Sequence, residues 1–173
     1  HVQDSVLSNQ QLERRCPLDF GHRKPLSIGS SPSPLERLPP EVAFEIFSTL
    51  DIQSLFSLRR ASRTLMMWVN SIPEYHQIIQ HAPSTIQAIL SLETASYITL
   101  HRLYRGLQSR TCQTCSLPTP YICVLTGQRL CPCSRSSRGK VFPMLMEEAC
   151  ERYGLDPEHL NDVKRFRARP GTY

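Results

Sequence analysis

Apolar residues recur with a helical period along most of this chain, beginning near residue 34. Val42, Ile46, Phe47 and Leu50 form one apolar stripe, the mark of a helix with a single buried face. Pro39 and Pro40 suit its first positions, and Glu41 complements the positive end of its dipole. Asp51 can cap a second helix carrying Leu55, Leu58 and Ala61, and Ser62 a third with Leu65, Trp68 and Val69 turned inward. "SIPEYH" sets Ser71 and Glu74 at capping-box spacing with Pro73 in the first turn, which predicts a fourth helix with Ile78 and Ile79 on its apolar side. Pro83 restarts the chain into "STIQAILSL", where Ile86, Ile89 and Leu90 share a face. A further helix over roughly 94–107 groups Ile98, Leu103, Tyr104 and Leu107, until Gly106 and Ser109 loosen it.

The pattern changes beyond residue 110. "YICVL", from Tyr121 to Leu125, favours a strand, and "TGQ" turns it back into "RLC" as a short hairpin. "SRSSRGK" is a basic loop. "FPMLMEEACERYG" is helical again, with Met146, Cys150 and Tyr153 on one side and Gly154 as its stop. Asp156 and Pro157 open one last short helix. Residues 1–33 show no sustained period: "GHRKPLSIGSSPSP" mixes Gly, Ser, Pro and charge, and such a stretch buries too little to offset its ordering entropy. It reads as a disordered tail, with Cys16 a plain thiol. The fold class that follows is mainly α, with a small β-hairpin in the cysteine-rich part. The expected divisions are a tail at 1–33, three helices at 34–70, a helical linker region at 71–110, and a cysteine-rich hairpin with C-terminal helices at 111–173.

Composition narrows the function classes. The chain has 173 residues, 14 of them proline, and a formal charge of +5. That charge permits nucleic-acid contact but is shared by many soluble proteins. The first thirty residues lack the apolar run of about 7–15 residues that a secretory leader carries. No apolar stretch approaches the ~20 residues that cross a bilayer. The chain opens on His1 rather than Met, which leaves the start of the natural protein open. These features predict an intracellular protein with no membrane contact, in a reducing compartment where cysteines serve metals more often than disulfides.

Five of the seven cysteines lie between Thr111 and Cys133, in "TCQTCSLPTPYICVLTGQRLCPC". Cys112 and Cys115 form a C-x-x-C pair, whose two sulfurs can turn toward one ion in a tight knuckle. Cys131 and Cys133 follow across the hairpin as C-x-C, and on a strand both would point the same way. Two thiolate pairs joined by a hairpin predict one structural zinc ion held by Cys112, Cys115, Cys131 and Cys133. Cys123 is the alternative fourth ligand, although an apolar strand suits it better to packing. The competing view makes all five small buried hydrophobes. Four thiolates would leave no open position for water, so a hydrolytic centre is not expected. The chain also lacks G-x-S-x-G, H-E-x-x-H and Walker-type phosphate loops, so no enzyme is predicted. His76, His81 and His101 are expected on solvated helix faces.

Residues 35–70 resemble an F-box. The pattern runs Leu38-Pro39, Ile46-Phe47, Leu50-Asp51, Leu55, Leu58 and Ser62-Arg63 without a gap, with Ala61 where valine is usual. Leu65 stands where a tryptophan is usual, and Trp68 follows one turn on. The order of "SIPEYHQIIQHAP", the cysteine cluster, the "YGL" helix and "PGTY" is similar to a group of fungal F-box proteins with a zinc-like C-terminal module. The C-x-C pair departs from that group's C-x-x-C. The resemblance implies a substrate-recognition subunit of an SCF-type ubiquitin ligase. Such a subunit docks on a Skp-type adaptor, and through it on a cullin scaffold, while presenting a protein substrate whose identity the sequence does not give. Leu38, Pro39, Ile46, Phe47, Leu50, Leu55, Leu58 and Trp68 are the expected adaptor-binding residues, because three short helices cannot hide that much apolar surface by themselves. The alternative is a zinc-ribbon nucleic-acid binder using Arg129, Arg135, Arg138, Lys140, Lys164, Arg165, Arg167 and Arg169. Only Tyr121, Phe142 and Phe166 lie near those charges, too few for a stacking platform.

Overall fold

Side-chain caps set several of the helix starts. In a computed structural model that describes residues 9–16, 18, 33–131 and 144–164, Ser33 and Glu36 form a capping box over a 3₁₀ turn at Pro34–Arg37. α2 (Pro40–Thr49) starts on the Pro39-Pro40 pair. Asp51 caps α3 (Ile52–Ala61) by accepting from the Ser54 amide at 2.9 Å. Ser62 caps α4 (Arg63–Ser71) by accepting from the Leu65 amide at 3.1 Å. Each such cap satisfies an amide that the helix itself leaves without a partner.

α5 (Pro73–His81) and α6 (Pro83–Ser91) continue the array, each beginning on its proline. The expected Ser71–Glu74 capping box is not formed. Ile72 holds the cap position of α5, and the Ser71 hydroxyl donates instead to the Trp68 carbonyl of the preceding helix. The helix expected over 94–107 is divided. Ala95–Tyr97 is a 3₁₀ turn, Ile98 is extended, and α7 (Leu100–Gln108) starts afresh on the Thr99 hydroxyl. β1 (Ile122–Cys123) and β2 (Gln128–Arg129) form the expected antiparallel hairpin, pairing Ile122 with Arg129 and Cys123 with Gln128. α8 (Met146–Tyr153) stops at Gly154, whose φ of 62° is the left-handed conformation that glycine tolerates at a helix end. The Asp156-Pro157 turn follows as a 3₁₀ element.

One apolar core joins α2 to α7. Phe47, Ile52, Leu55, Val69, Ile78, Ile86, Ile89, Ile98, Leu100 and Leu103 are buried in it. Within the segment expected to be tail, α1 (Asn9–Arg15) packs on α6 with Leu12 buried, and Gln87 Nε2 donates to the Cys16 carbonyl at 3.2 Å. Burial raises the Cys16 thiol pKa above its ordinary value. Among the described residues, no helix is long and apolar enough to cross a membrane.

Candidate functional site: the α2–α4 face and the cysteine cluster

The stripe expected on α2 is rotated. Ala43 and Phe47 are the residues that face the core, while Val42 and Ile46 remain 44% and 39% exposed. Residues four apart share a helix face, so Val42 and Ile46 form an outward apolar line behind the exposed Pro39. The expected docking set is therefore divided. Phe47 and Leu55 are 0% and 1% exposed, inside the chain's own core, and offer no surface in this arrangement. Leu38, Leu50 and Leu58 are half-buried. Trp68 is half-buried with its ring 6.5 Å from both Phe44 and Phe47. Part of the apolar surface of these three helices is covered by α5, by α7 and by the turn at Ala95–Tyr97.

Glu36 ties the start of this region to its third helix. Its carboxylate accepts from the Ser33 amide at 2.6 Å and from the Ser62 hydroxyl at 2.6 Å. The Ser62 bond, then the Ser33 amide, lower its pKa below the usual carboxyl range. Arg59, buried between α3 and α4, donates from Nε to Asn70 Oδ1 at 2.7 Å.

The second site lies beside the hairpin. The Sγ atoms of Cys112, Cys115 and Cys131 all lie within 4.8 Å of one another. Cys115 and Cys131 sulfurs are 3.3 Å apart, well beyond the ~2.05 Å of a disulfide bond. A tetrahedral ion with Zn–S near 2.3 Å sets its sulfurs about 3.8 Å from one another, so the triad is spaced to hold a metal. The local backbone builds a knuckle around it. The Thr114 and Cys131 amides both donate to Cys112 Sγ, each at 3.4 Å. The Ser116 amide donates to the Cys112 carbonyl at 2.9 Å, and Ser116 takes a φ of 59° to close the turn. Cys123 is buried in β1 as a packing residue, outside the triad. Cys133 lies outside the described residues, as do Arg135, Arg138, Lys140, Arg165, Arg167 and Arg169.

Arg129 is a structural pin. Its Nη1 donates to the Thr119 carbonyl at 2.9 Å and its Nη2 to the Leu107 carbonyl at 3.2 Å, at the end of α7. Gly127, with a φ of 69°, serves the hairpin turn as expected, whereas Gly106 sits inside α7 instead of loosening its end. A Cβ on Gly106 would stand 2.1 Å from the Gly127 carbonyl oxygen, so the helix approaches the hairpin turn backbone to backbone. The available signal was a glycine inside a strongly amphipathic helix, where it costs about 1 kcal/mol against alanine. Thr94, buried, adds a hydroxyl bond to the Val124 carbonyl at 2.8 Å. Its polarity gave no sign of that role.

Compared with known proteins, residues 35–77 match the F-box domain family. That stretch holds the 3₁₀ turn, α2, α3, α4 and the first part of α5. An F-box domain at this position supports an F-box protein. No curated protein and no solved structure matches the chain.

Proposed function

We propose that this chain is a substrate-recognition subunit of an SCF-type ubiquitin ligase, with no chemistry of its own. The F-box at 35–77 carries the reading. It docks a Skp-type adaptor, and through it a cullin scaffold, by the outward side of its helices. Leu38, Pro39, Ile46, Leu50, Leu58 and Trp68 retain surface for that contact, while Phe47 and Leu55 support it from beneath. The helices and the cysteine module beyond Gln77 carry the substrate-facing part, in the manner of the fungal F-box group. The site of action is inside the cell.

Cys112, Cys115, Cys131 and Cys133 hold one structural zinc ion in this reading. The spacing of the three described sulfurs supports it, and the C-x-C pair supplies the fourth ligand. Zinc bound by four thiolates acts as a cross-link and leaves no position for water. The zinc-ribbon nucleic-acid alternative loses one of its cations, because the guanidinium of Arg129 is engaged with carbonyls of its own chain.

Co-purification tests the reading. A Skp-type adaptor and its cullin should be retained by the intact chain and lost with the Leu38→Ala/Pro39→Ala double variant. Retention by the double variant would move the docking face elsewhere. Failure of the intact chain to retain the adaptor would defeat the function.

A further inference from the structure

The F-box and the cysteine cluster are joined by a continuous path of short contacts, and its joint lies outside the matched F-box. The turn between α2 and α3 takes its backbone partners from residues 98–100. The Ile52 amide donates to the Ile98 carbonyl at 3.0 Å, the Leu100 amide donates to the Leu50 carbonyl at 3.2 Å, and Asp51 pairs with Thr99 as an antiparallel bridge. Ile98 is completely buried, and its Cγ2 lies 2.8 Å from where a Cβ on Gly127 would stand. Gly127 in turn meets Gly106 of α7. Two residues further on, Arg129 holds the Thr119 and Leu107 carbonyls. Its own carbonyl accepts the Gln113 amide at 3.0 Å, inside the C-x-x-C turn. Cys131 follows at once.

The hairpin is therefore held on both sides, by the cysteine cluster on one and by Ile98 and α7 on the other, and residues 98–100 in turn pair with the F-box turn. With two residues in each strand it has almost no stability of its own. We propose that metal occupancy of the cysteine cluster sets the stability of the Leu50–Ile52 turn of the F-box, so that losing the metal weakens adaptor docking although no cysteine touches the adaptor. This inference rests on the metal reading above. The hairpin is the element with two states, ordered when the cluster is closed and loosened when it opens, because metal binding and local folding are coupled in so short a segment. Loosening withdraws Gly127 from Ile98 and frees residues 98–100 from the F-box turn. Leu50, in that turn, is itself among the proposed docking residues.

Hydrogen exchange on the full chain tests this, with the Ile52 and Leu100 amides as reporters and the Ala82 amide, which closes α5, as the distant control. Removing metal with EDTA should speed exchange at Ile52 and Leu100 by about fivefold or more, the lower end of typical coupling between sites. Added zinc should reverse it, and Ala82 should change much less. Gly106→Ala should raise exchange at the same two amides while elemental analysis still finds the metal bound. Metal release that speeds exchange over 112–131 but leaves Ile52 and Leu100 unchanged would overturn the inference and spare the metal site. An equal rise at Ala82 would also overturn it, by showing whole-chain unfolding. A chain that takes up neither zinc nor cobalt would defeat the metal reading itself.

Discussion

The F-box and the cysteine module are neighbours held by different forces. The F-box buries Ala43, Phe47, Ile52, Leu55, Leu65 and Val69, and each large apolar side chain removed from water contributes about 1.5–3 kcal/mol. From 109 to 131 the module buries, glycine aside, only Cys112, Thr119, Cys123 and Cys131. Its order comes from backbone bonds such as Cys112 amide to Leu117 carbonyl at 2.8 Å and Thr119 amide to Arg110 carbonyl at 3.1 Å. Bonds of this kind contribute about 1 kcal/mol net apiece, because water competes for both partners. Burial dominates in the first region, within a core that it shares with α5 to α7. The second has no such core, and the zinc cross-link proposed above would supply what burial does not.

The largest effect should come from removing that cross-link. Structural zinc supplies roughly 10–16 kcal/mol in small fingers. Cys115→Ser should leave the protein with almost no zinc on elemental analysis, whereas Cys123→Ser should keep about one equivalent, the content of a single tetrahedral site. The reverse pattern would show that Cys123, and not the knuckle, ligates the ion.

A second contrast separates core from docking face within α2. Phe47→Ala should cost about 3–5 kcal/mol in urea unfolding, the range for emptying a packed aromatic site. Ile46→Ala, at the neighbouring exposed position, should change stability by less than about 1 kcal/mol and weaken adaptor binding by about 1–4 kcal/mol. Equal stability losses in the two variants would mean that Ile46 is core as well, and the division of the helix would fail.

The smallest effect is electrostatic and belongs to the F-box alone. Because the Ser62 hydroxyl and the Ser33 amide hold the Glu36 pKa low in the folded state, its stabilisation is fully present above the unfolded value of about 4.3. It is lost as pH falls through the lower folded value. Melting temperature should therefore drop below that pH in the parent chain and drop less steeply in Glu36→Gln. Parallel curves would remove Glu36 from the account.

Local signals made much of this fold legible. Asp51, Ser62 and Gly154 named their helix ends correctly because capping is decided within a few residues. Of the four cysteines expected as ligands, Cys112, Cys115 and Cys131 lie together, since C-x-x-C geometry is local and a hairpin brings Cys131 back, while Cys133 is outside the described residues. What escaped the sequence depends on distant partners. The rotation of α2 toward Ala43 and Phe47 is set by what α4 and α7 offer it. The break at Ile98 exists because residues 98–100 pair with the Asp51 turn, some forty-odd residues away. The Gly106–Gly127 approach needed both glycines to be seen as one contact. Division of the docking residues into buried and exposed sets followed from the same long-range packing.

The central claim is that the F-box face binds a Skp-type adaptor, and titration calorimetry of the zinc-loaded chain against that adaptor tests it most directly. The account predicts saturable one-to-one binding that the Leu38→Ala/Pro39→Ala variant loses while its melting temperature is nearly unchanged. Absence of binding heat at several temperatures from a folded, zinc-loaded chain would contradict it.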